Sequence, residues 1–246
     1  DTTLLNCTTW GLRWGVSFKS GPQRVKLQGC KIQFCTQHGL TWNDNTVAQG
    51  ETDPDPVSIL LEDCLIADIG SDGFQTVNPH PNYIGGEDDD SLAHRWIVLK
   101  NCVIRDCGEN AFDPKSAFGV MMDGCAIYRI MGSNDGYRAN PWNSSTFTAT
   151  GLGSGTTMKW MIVRNSFFVD CAPPNFIYGK MSPKPPDLKY YNNTILATNF
   201  CFTGTDQDDA GHATNLTKQM LGIRQADGSS NKLGVMLNNL IANQNF

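Results

Sequence analysis

The 246-residue chain lacks several features that would have pointed to common protein classes. Charged residues make up 17% of it and the formal net charge is −5, so there is no basic face of the kind that nucleic-acid binding requires. No apolar run approaches the roughly 20 residues needed to cross a bilayer, so no membrane span is expected. Long stretches with helical periodicity are missing, as are leucine-rich and Trp-Asp repeat signatures. The chain opens at Asp1 rather than Met and shows no signal peptide, a start that suits a processed secreted protein or an excised fragment.

What is present is a short pattern used again and again. An alternating apolar triplet is followed by Asn, Asp or Gly, then by Cys or another small residue. It reads Leu4-Leu5-Asn6-Cys7, Val25-Lys26-Leu27-Gln28-Gly29-Cys30, Ile59-Leu60-Leu61-Glu62-Asp63-Cys64 and Ile97-Val98-Leu99-Lys100-Asn101-Cys102. It continues as Val120-Met121-Met122-Asp123-Gly124-Cys125, Met161-Ile162-Val163-Arg164-Asn165-Ser166, Lys189-Tyr190-Tyr191-Asn192-Asn193-Thr194 and Val235-Met236-Leu237-Asn238-Asn239-Leu240. From anchor to anchor the intervals are 23, 34, 38, 23, 41, 28 and 46. The shortest is about one coil of three short strands, and the longer ones are that coil plus an insertion. Asn, Asp and Gly tolerate the positive φ of a tight turn. The small residue after them should face a narrow interior. A second cysteine column, Cys35, Cys107 and Cys171, follows five residues later. The nine cysteines therefore read as reduced interior thiols before they read as a disulfide framework.

These observations predict an all-β chain. The expected fold is a right-handed, single-stranded parallel β-helix of about eight coils with long loops on one side. Residues 1–246 form one domain whose two ends sit within the coil pattern, so caps of its own are not expected. Bare ends would allow a homo-oligomer or fibre. Ten residues after each anchor, Leu40, Phe74, Phe112 and Phe176 should point inward. Positions +11 and +13 should then point outward: Thr41 and Asn43, Gln75 and Val77, Asp113 and Lys115, Gly136 and Arg138, Ile177 and Gly179. The long segments 76–95 and 132–159 would stand as two walls around a floor holding Asp113 and Lys115. Arg138 would occupy the same column one coil on.

Two cations near one carboxylate suit an anionic sugar and lower a lysine's pKa towards that of a usable base. A solvated charge ladder is the plainer reading. At +8, His38, Asp72 and Asn110 form another column, where a His beside an Asp invites proton transfer. Turn chemistry before Gly73 also explains Asp72. The acidic run Glu87-Asp88-Asp89-Asp90, with Glu51, Asp53 and Asp55, offers oxygen ligands for Ca²⁺ but matches no EF-hand spacing, and a solvated loop explains it as well. Tyr83, Trp96, Tyr137, Trp142 and Tyr178 are loop aromatics able to stack on sugar rings.

The repeated apolar–Asn–Cys coils resemble the pectate-lyase-like superfamily of parallel β-helix proteins over nearly the whole chain. Asn110-Ala111-Phe112-Asp113-Pro114-Lys115, followed by Val120-Met121-Met122-Asp123-Gly124-Cys125, is similar to the strand that carries a catalytic lysine in some polysaccharide lyases. The resemblance implies a secreted or cell-surface protein acting on an acidic polysaccharide. Ca²⁺ or cationic side chains neutralise a uronate carboxylate, a Lys or Arg takes the C5 proton, and the 4-linked sugar leaves by β-elimination. It assigns Lys115 as base and Arg138 as carboxylate partner; from the residue pattern itself, Asp113 is expected beside them and His38, Asp72, Tyr137 and Trp142 as substrate contacts. Glu109-Asn110 stands where the family usually has paired Asp, which weakens a calcium site. A glycoside hydrolase using Asp72 and Asp113, and a non-enzymatic fibre, spike or adhesin segment that binds glycans, are the competing expectations.

Overall fold

A computed structural model describes residues 2–19, 24–43, 57–77, 96–114, 119–130, 145–147, 160–171, 176–179, 187–197, 206–207, 213–214, 222–225 and 235–243. Among these residues there is no helix, and the chain passes through three parallel sheets in turn. The first sheet contains β1 (Thr2–Leu5), β4 (Val25–Gln28), β7 (Val57–Glu62), β10 (Trp96–Lys100), β13 (Gly119–Asp123), β16 (Trp160–Arg164), β19 (Asp187–Tyr191) and β24 (Val235–Leu237), in that spatial order. The second contains β2 (Thr8–Trp10), β5 (Lys31–Cys35), β8 (Leu65–Ile69), β11 (Val103–Cys107), β14 (Ala126–Ile130), β17 (Phe167–Cys171), β20 (Thr194–Ala197) and β25 (Leu240–Asn243). The third contains β3 (Val16–Lys19), β6 (Leu40–Asn43), β9 (Phe74–Val77), β12 (Asn110–Pro114), β15 (Ser145–Phe147), β18 (Phe176–Gly179) and β23 (Gly222–Gln225). A short antiparallel pair, β21 (Asp206–Gln207) and β22 (Ala213–Thr214), stands apart. Up to β20 every third strand lies beside its predecessor, and β23, β24 and β25 then pair with β18, β19 and β20, an arrangement compatible with a parallel β-helix.

The turn between the first and second sheets is where the repeat earns its regularity. Asn6, Gly29, Asp63, Asn101, Gly124, Asn165, Asn192 and Asn238 all have φ between 50° and 67°. These are the turn residues of the repeated pattern, and the left-handed conformation explains their chemistry. Gly124 also has a steric reason, because a Cβ there would sit 2.5 Å from Asn101 Oδ1.

Inside, each residue type forms a column. Leu27, Leu61, Leu99, Met122 and Val163 are fully buried, as are Ile32, Ile66, Ile104, Ile127, Phe168 and Ile195 on the second sheet. Phe74 and Phe112 stack with centroids 4.8 Å apart. Leu40 is buried on the same column. The backbone register runs on from Phe112 to Phe147 and Ile177, so Ile177 rather than Phe176 aligns with Phe112.

Cys30, Cys64, Cys102 and Cys125 form the expected interior column and are free thiols. Each thiol lies 3.3–3.6 Å from the carbonyl oxygen two residues before it. The column then changes character to Ser166, Asn193 and Asn239. Ser166 Oγ accepts from Cys125 N at 3.1 Å, Asn193 Oδ1 from Ser166 N at 3.0 Å, and Asn239 Oδ1 from Asn193 N at 2.9 Å. Counting Thr194 and Leu240 as anchors was therefore one residue late. An asparagine can sit inside because its side chain meets backbone groups of the preceding coil, Asn193 with Ser166 N and Val163 O, and Asn239 with Asn193 N and Tyr190 O.

A second left-handed column was not legible in the sequence. Phe34, Asp68, Asp106 and Arg129 have φ between 52° and 59°. At this point the second sheet skips a pairing: Arg105 aligns with Tyr128 and Cys107 with Ile130, leaving Asp106 and Arg129 out of the ladder. The extra outward residue returns Cys35, Ile69, Cys107, Ile130 and Cys171 to the core. Left-handed backbone costs a non-glycine residue about 1–2 kcal/mol. Asp106 offsets part of this by receiving Arg129 Nε and Nη2 at 2.5 and 2.6 Å, and Arg105 as well.

The Arg129 guanidinium, followed by Arg105, holds the Asp106 carboxyl below the usual carboxylate range. A depressed folded-state pKa adds stability above the unfolded-state value, and that stability disappears as pH falls through the lowered one. Arg129→Ala should therefore destabilise the protein at neutral pH by under about 1 kcal/mol, since the pair is half-exposed, and by less near pH 2. Urea unfolding at both pH values checks this. Thiol titration checks the interior columns: Cys7 is exposed, whereas the other seven described cysteines are buried. Cys7 should react fast in the native protein and those seven slowly until denaturant is added. Rapid native modification of Cys64 or Cys102, mapped by mass spectrometry, would refute the packing.

Candidate functional site

The outward face of the third sheet carries a polar column. Ser17 aligns with Thr41, Thr41 with Gln75, and Gln75 with Asp113. Alternation turns these side chains away from the core because Leu40, Phe74 and Phe112 turn into it. Thr41 Oγ1 donates to Ser17 Oγ at 2.9 Å, so the column is joined side chain to side chain.

Its centre is Asp72, in the turn leading to β9. One carboxylate oxygen accepts from Asn110 Nδ2 at 2.6 Å and the other from Gln75 Nε2 at 2.8 Å. His38 Nδ1 lies 3.2 Å from the second oxygen without being aligned for a hydrogen bond. The same Gln75 nitrogen reaches Asp113 Oδ2 at 3.3 Å. One amide thus links two carboxylates, whose Oδ2 atoms lie no more than roughly 6 Å apart. Asp72 is 0% and Asp113 2% exposed, while the His38 side chain keeps 21% of its surface. The imidazole and the Gln75 side chain are the partly open members of the network.

Sequence reasoning placed His38, Asp72 and Asn110 in one column, and they meet. It missed Gln75 as the link between Asp72 and Asp113, although Gln75 and Asp113 share the +11 position. Asp113 lies on the expected outward face, but it is covered rather than spread on an open floor. The strand beside β12 is β15, Ser145–Phe147, which takes the place beside β12 that the count gave to positions 136 and 138. Counting ten residues from Cys125 failed because the insertion there precedes the third-sheet strand. For the same reason, residues 132–159 do not make one uninterrupted wall. Lys115, Arg138, Tyr137 and Trp142 lie outside the described residues, as do Tyr83, Glu51, Asp53, Asp55 and the run 87–90. Trp96 and Tyr178 belong to strands β10 and β18 rather than to loops.

No group of three or more His, Cys, Asp or Glu side chains that could hold a metal is found among the described residues. Glu109 accepts from Ser71 Oγ at 2.6 Å, and Asn110 presents its amide nitrogen to Asp72. This pair, at the place where the resemblance would put acidic ligands, does not fit a Ca²⁺ site, which needs several converging oxygens. Among the described residues no helix is long and apolar enough to cross a membrane. Comparison with family models, with characterised proteins and with solved structures gives no match.

A carboxylate with no exposed surface depends on its donors, and the donors depend on it. Asp72→Ala would remove one acceptor from each of the Asn110 and Gln75 amides, and should lower the unfolding free energy by about 1–3 kcal/mol. The measurement is equilibrium urea unfolding. A variant as stable as the parent would show that the network does not hold the third sheet together.

Proposed function

We propose that the protein is a carbohydrate-active member of the pectate-lyase-like superfamily, a right-handed β-helix of about eight coils that works outside the cell. Its reaction would be β-elimination on a uronate-containing polysaccharide. The observation that carries this reading is the seating of Asp113. Burial and the Gln75 amide hold its carboxylate next to the Asp72–His38 pair, and Lys115 follows two residues later in the sequence.

In this reading Lys115 takes the C5 proton and the C5–H electron pair forms the C4–C5 double bond. The C4–O bond then breaks, and the departing sugar carries its electrons away as an oxyanion that is protonated. Arg138 neutralises the uronate carboxylate, whose charge grows as the proton leaves. Asp113 sets the local charge around the lysine. His38, a partly exposed member of the network, would meet the sugar, with Tyr137 and Trp142 stacking on rings.

Two other readings rest on particular observations. Asp72 and Asp113 are a close carboxylate pair, as a glycoside hydrolase needs, but its two carboxylates must touch the substrate. Exposures of 0% and 2% count against that contact. The internal satisfaction of Asp72 favours a purely structural role within a glycan-binding β-helix.

One panel of pectate, alginate and glycosaminoglycans separates the three. A lyase yields unsaturated, ultraviolet-absorbing ends; a hydrolase yields reducing ends without unsaturation; a binding module retains the polymer uncut. For the lyase, Lys115→Ala should lower turnover by about 10²–10⁴-fold, and Arg138→Ala should lower it too. Full activity of Lys115→Ala on a confirmed substrate would remove the lysine from the mechanism.

A further inference from the structure

Side chains that point out of the first sheet form two columns with one common centre. Alternation turns Leu60, Val98, Met121 and Ile162 outward, because Leu61, Leu99, Met122 and Val163 beside them are buried. Pairing in register stacks them into a column that reads Lys26, Leu60, Val98, Met121, Ile162, Lys189. An apolar stripe thus runs along an outward face with a lysine at either side of it. Leu60, Met121 and Ile162 keep part of their surface, whereas Val98, flanked by Leu60 and Met121, keeps 3%. A solvated sheet face is ordinarily polar, and an apolar stripe on it gains by being covered.

Two residues further along each strand, the second column reads Gln28, Glu62, Lys100, Asp123, Arg164, Tyr191. Its charges alternate in sign. They are partnered within the chain, Lys26 Nζ lying 3.4 Å from Glu62 Oε2 and Arg164 Nη2 2.7 Å from Asp123 Oδ2. Reversing the order of this column sets Glu62 on Arg164 and Lys100 on Asp123, each charge on its opposite. The same reversal of the apolar column sets Leu60 on Ile162 and Val98 on Met121. Both reversals are centred between β10 and β13. A two-fold axis lying there parallel to the strands reverses the order of the coils and leaves each column facing itself.

From this we infer that the outward face of the first sheet is a docking surface for a second copy of this chain, the two sheets packed face to face about that axis. The apolar stripes would cover one another, about 10 Å separating the sheets. Glu62 and Lys100 would meet Arg164 and Asp123 of the second copy, and by symmetry each contact is made twice. Lys26 would face Lys189 of the second copy, with Glu62 beside Lys26 to offset the repulsion. Charge fixes the register. Moving the axis onto β13 would set Lys100 against Arg164 and Asp123 against its own counterpart, like on like. A contact of one surface with itself closes at two copies. The Asp72 network belongs to the third sheet, so the inference goes beyond the catalytic reading and is independent of it.

Sedimentation equilibrium of the 246-residue chain over a wide concentration range provides the test. The mass should rise with concentration from one chain to two and stop there. Lys100→Glu alone should weaken dimerisation by about tenfold or more, because each new carboxylate faces Asp123 of the other copy. Asp123→Lys alone should weaken it similarly by setting ammonium groups against one another. An equimolar mixture of the two variants should dimerise as the parent does, since each altered residue then meets its opposite across the axis. Thermal midpoints will confirm that both fold. Leu60→Gln changes no charge and should also weaken the dimer, which keeps the test open should a charge variant fail to fold. A parent that stays monomeric throughout would overturn the inference. So would assembly beyond two copies, dimerisation that Lys100→Glu or Leu60→Gln leaves unchanged, or folded charge variants that do not recombine on mixing.

Discussion

Parallel backbone pairing between one coil and the next is the interaction on which the rest of the molecule depends. Each coil contributes three to six residues to each sheet, too few to bury a core by itself. Stacking in register places identical side-chain positions above one another, so the interior becomes a set of columns rather than a two-layer core. The left-handed anchor residues make that register possible, because the chain must change direction at the same place in every coil. A one-residue slip would turn Leu27, Leu61 and Leu99 outward together.

Columns impose a chemical demand that differs by position. The site after each turn residue is narrow, and five coils fill it with cysteine, whose thiol is small, apolar and a weak donor. Hydrogen bonding between Cys102 and Cys125 pushes the Cys102 thiol up to about 12 and draws the Cys125 thiol down, as expected when one thiol donates to its neighbour's sulfur. Burial raises Cys107 well above the ordinary thiol value. The later coils fill the same position with Ser166, Asn193 and Asn239, which replace dispersion contacts by side-chain bonds to the backbone of the adjacent coil. The fold thus accepts two solutions to one geometric problem, on condition that each polar atom is paired.

The Asp72 network shows the same rule on the outer face. Two carboxylates a few ångströms apart repel unless donors separate them, and Gln75 does so with a single amide shared by both. His38 and Gln75 are the partly exposed groups among those that contact Asp72. A proton-handling site and a structural clamp begin from the same geometry. What distinguishes them chemically is whether a substrate-facing base stands beside the clamp, and Lys115 is the residue whose sequence position suits that role.

The amino-acid sequence by itself determined the repeat. The apolar triplets, the Asn/Asp/Gly turns and the Cys column each follow from a local rule about alternation, positive φ or side-chain volume. It also determined the inward position of Leu40, Phe74 and Phe112, for the same reason. Tertiary structure alone decided where the rule changes. The skipped pairing at Asp106 and Arg129 places a phenylalanine, two aspartates and an arginine in left-handed backbone, and no local propensity announces it. The displacement of β15 beyond residue 138 depends on which strand β12 accepts as its neighbour. Gln75 joins Asp72 to Asp113 because coils separated by 38 residues in sequence lie side by side, a proximity created by pairing between coils and invisible along the chain.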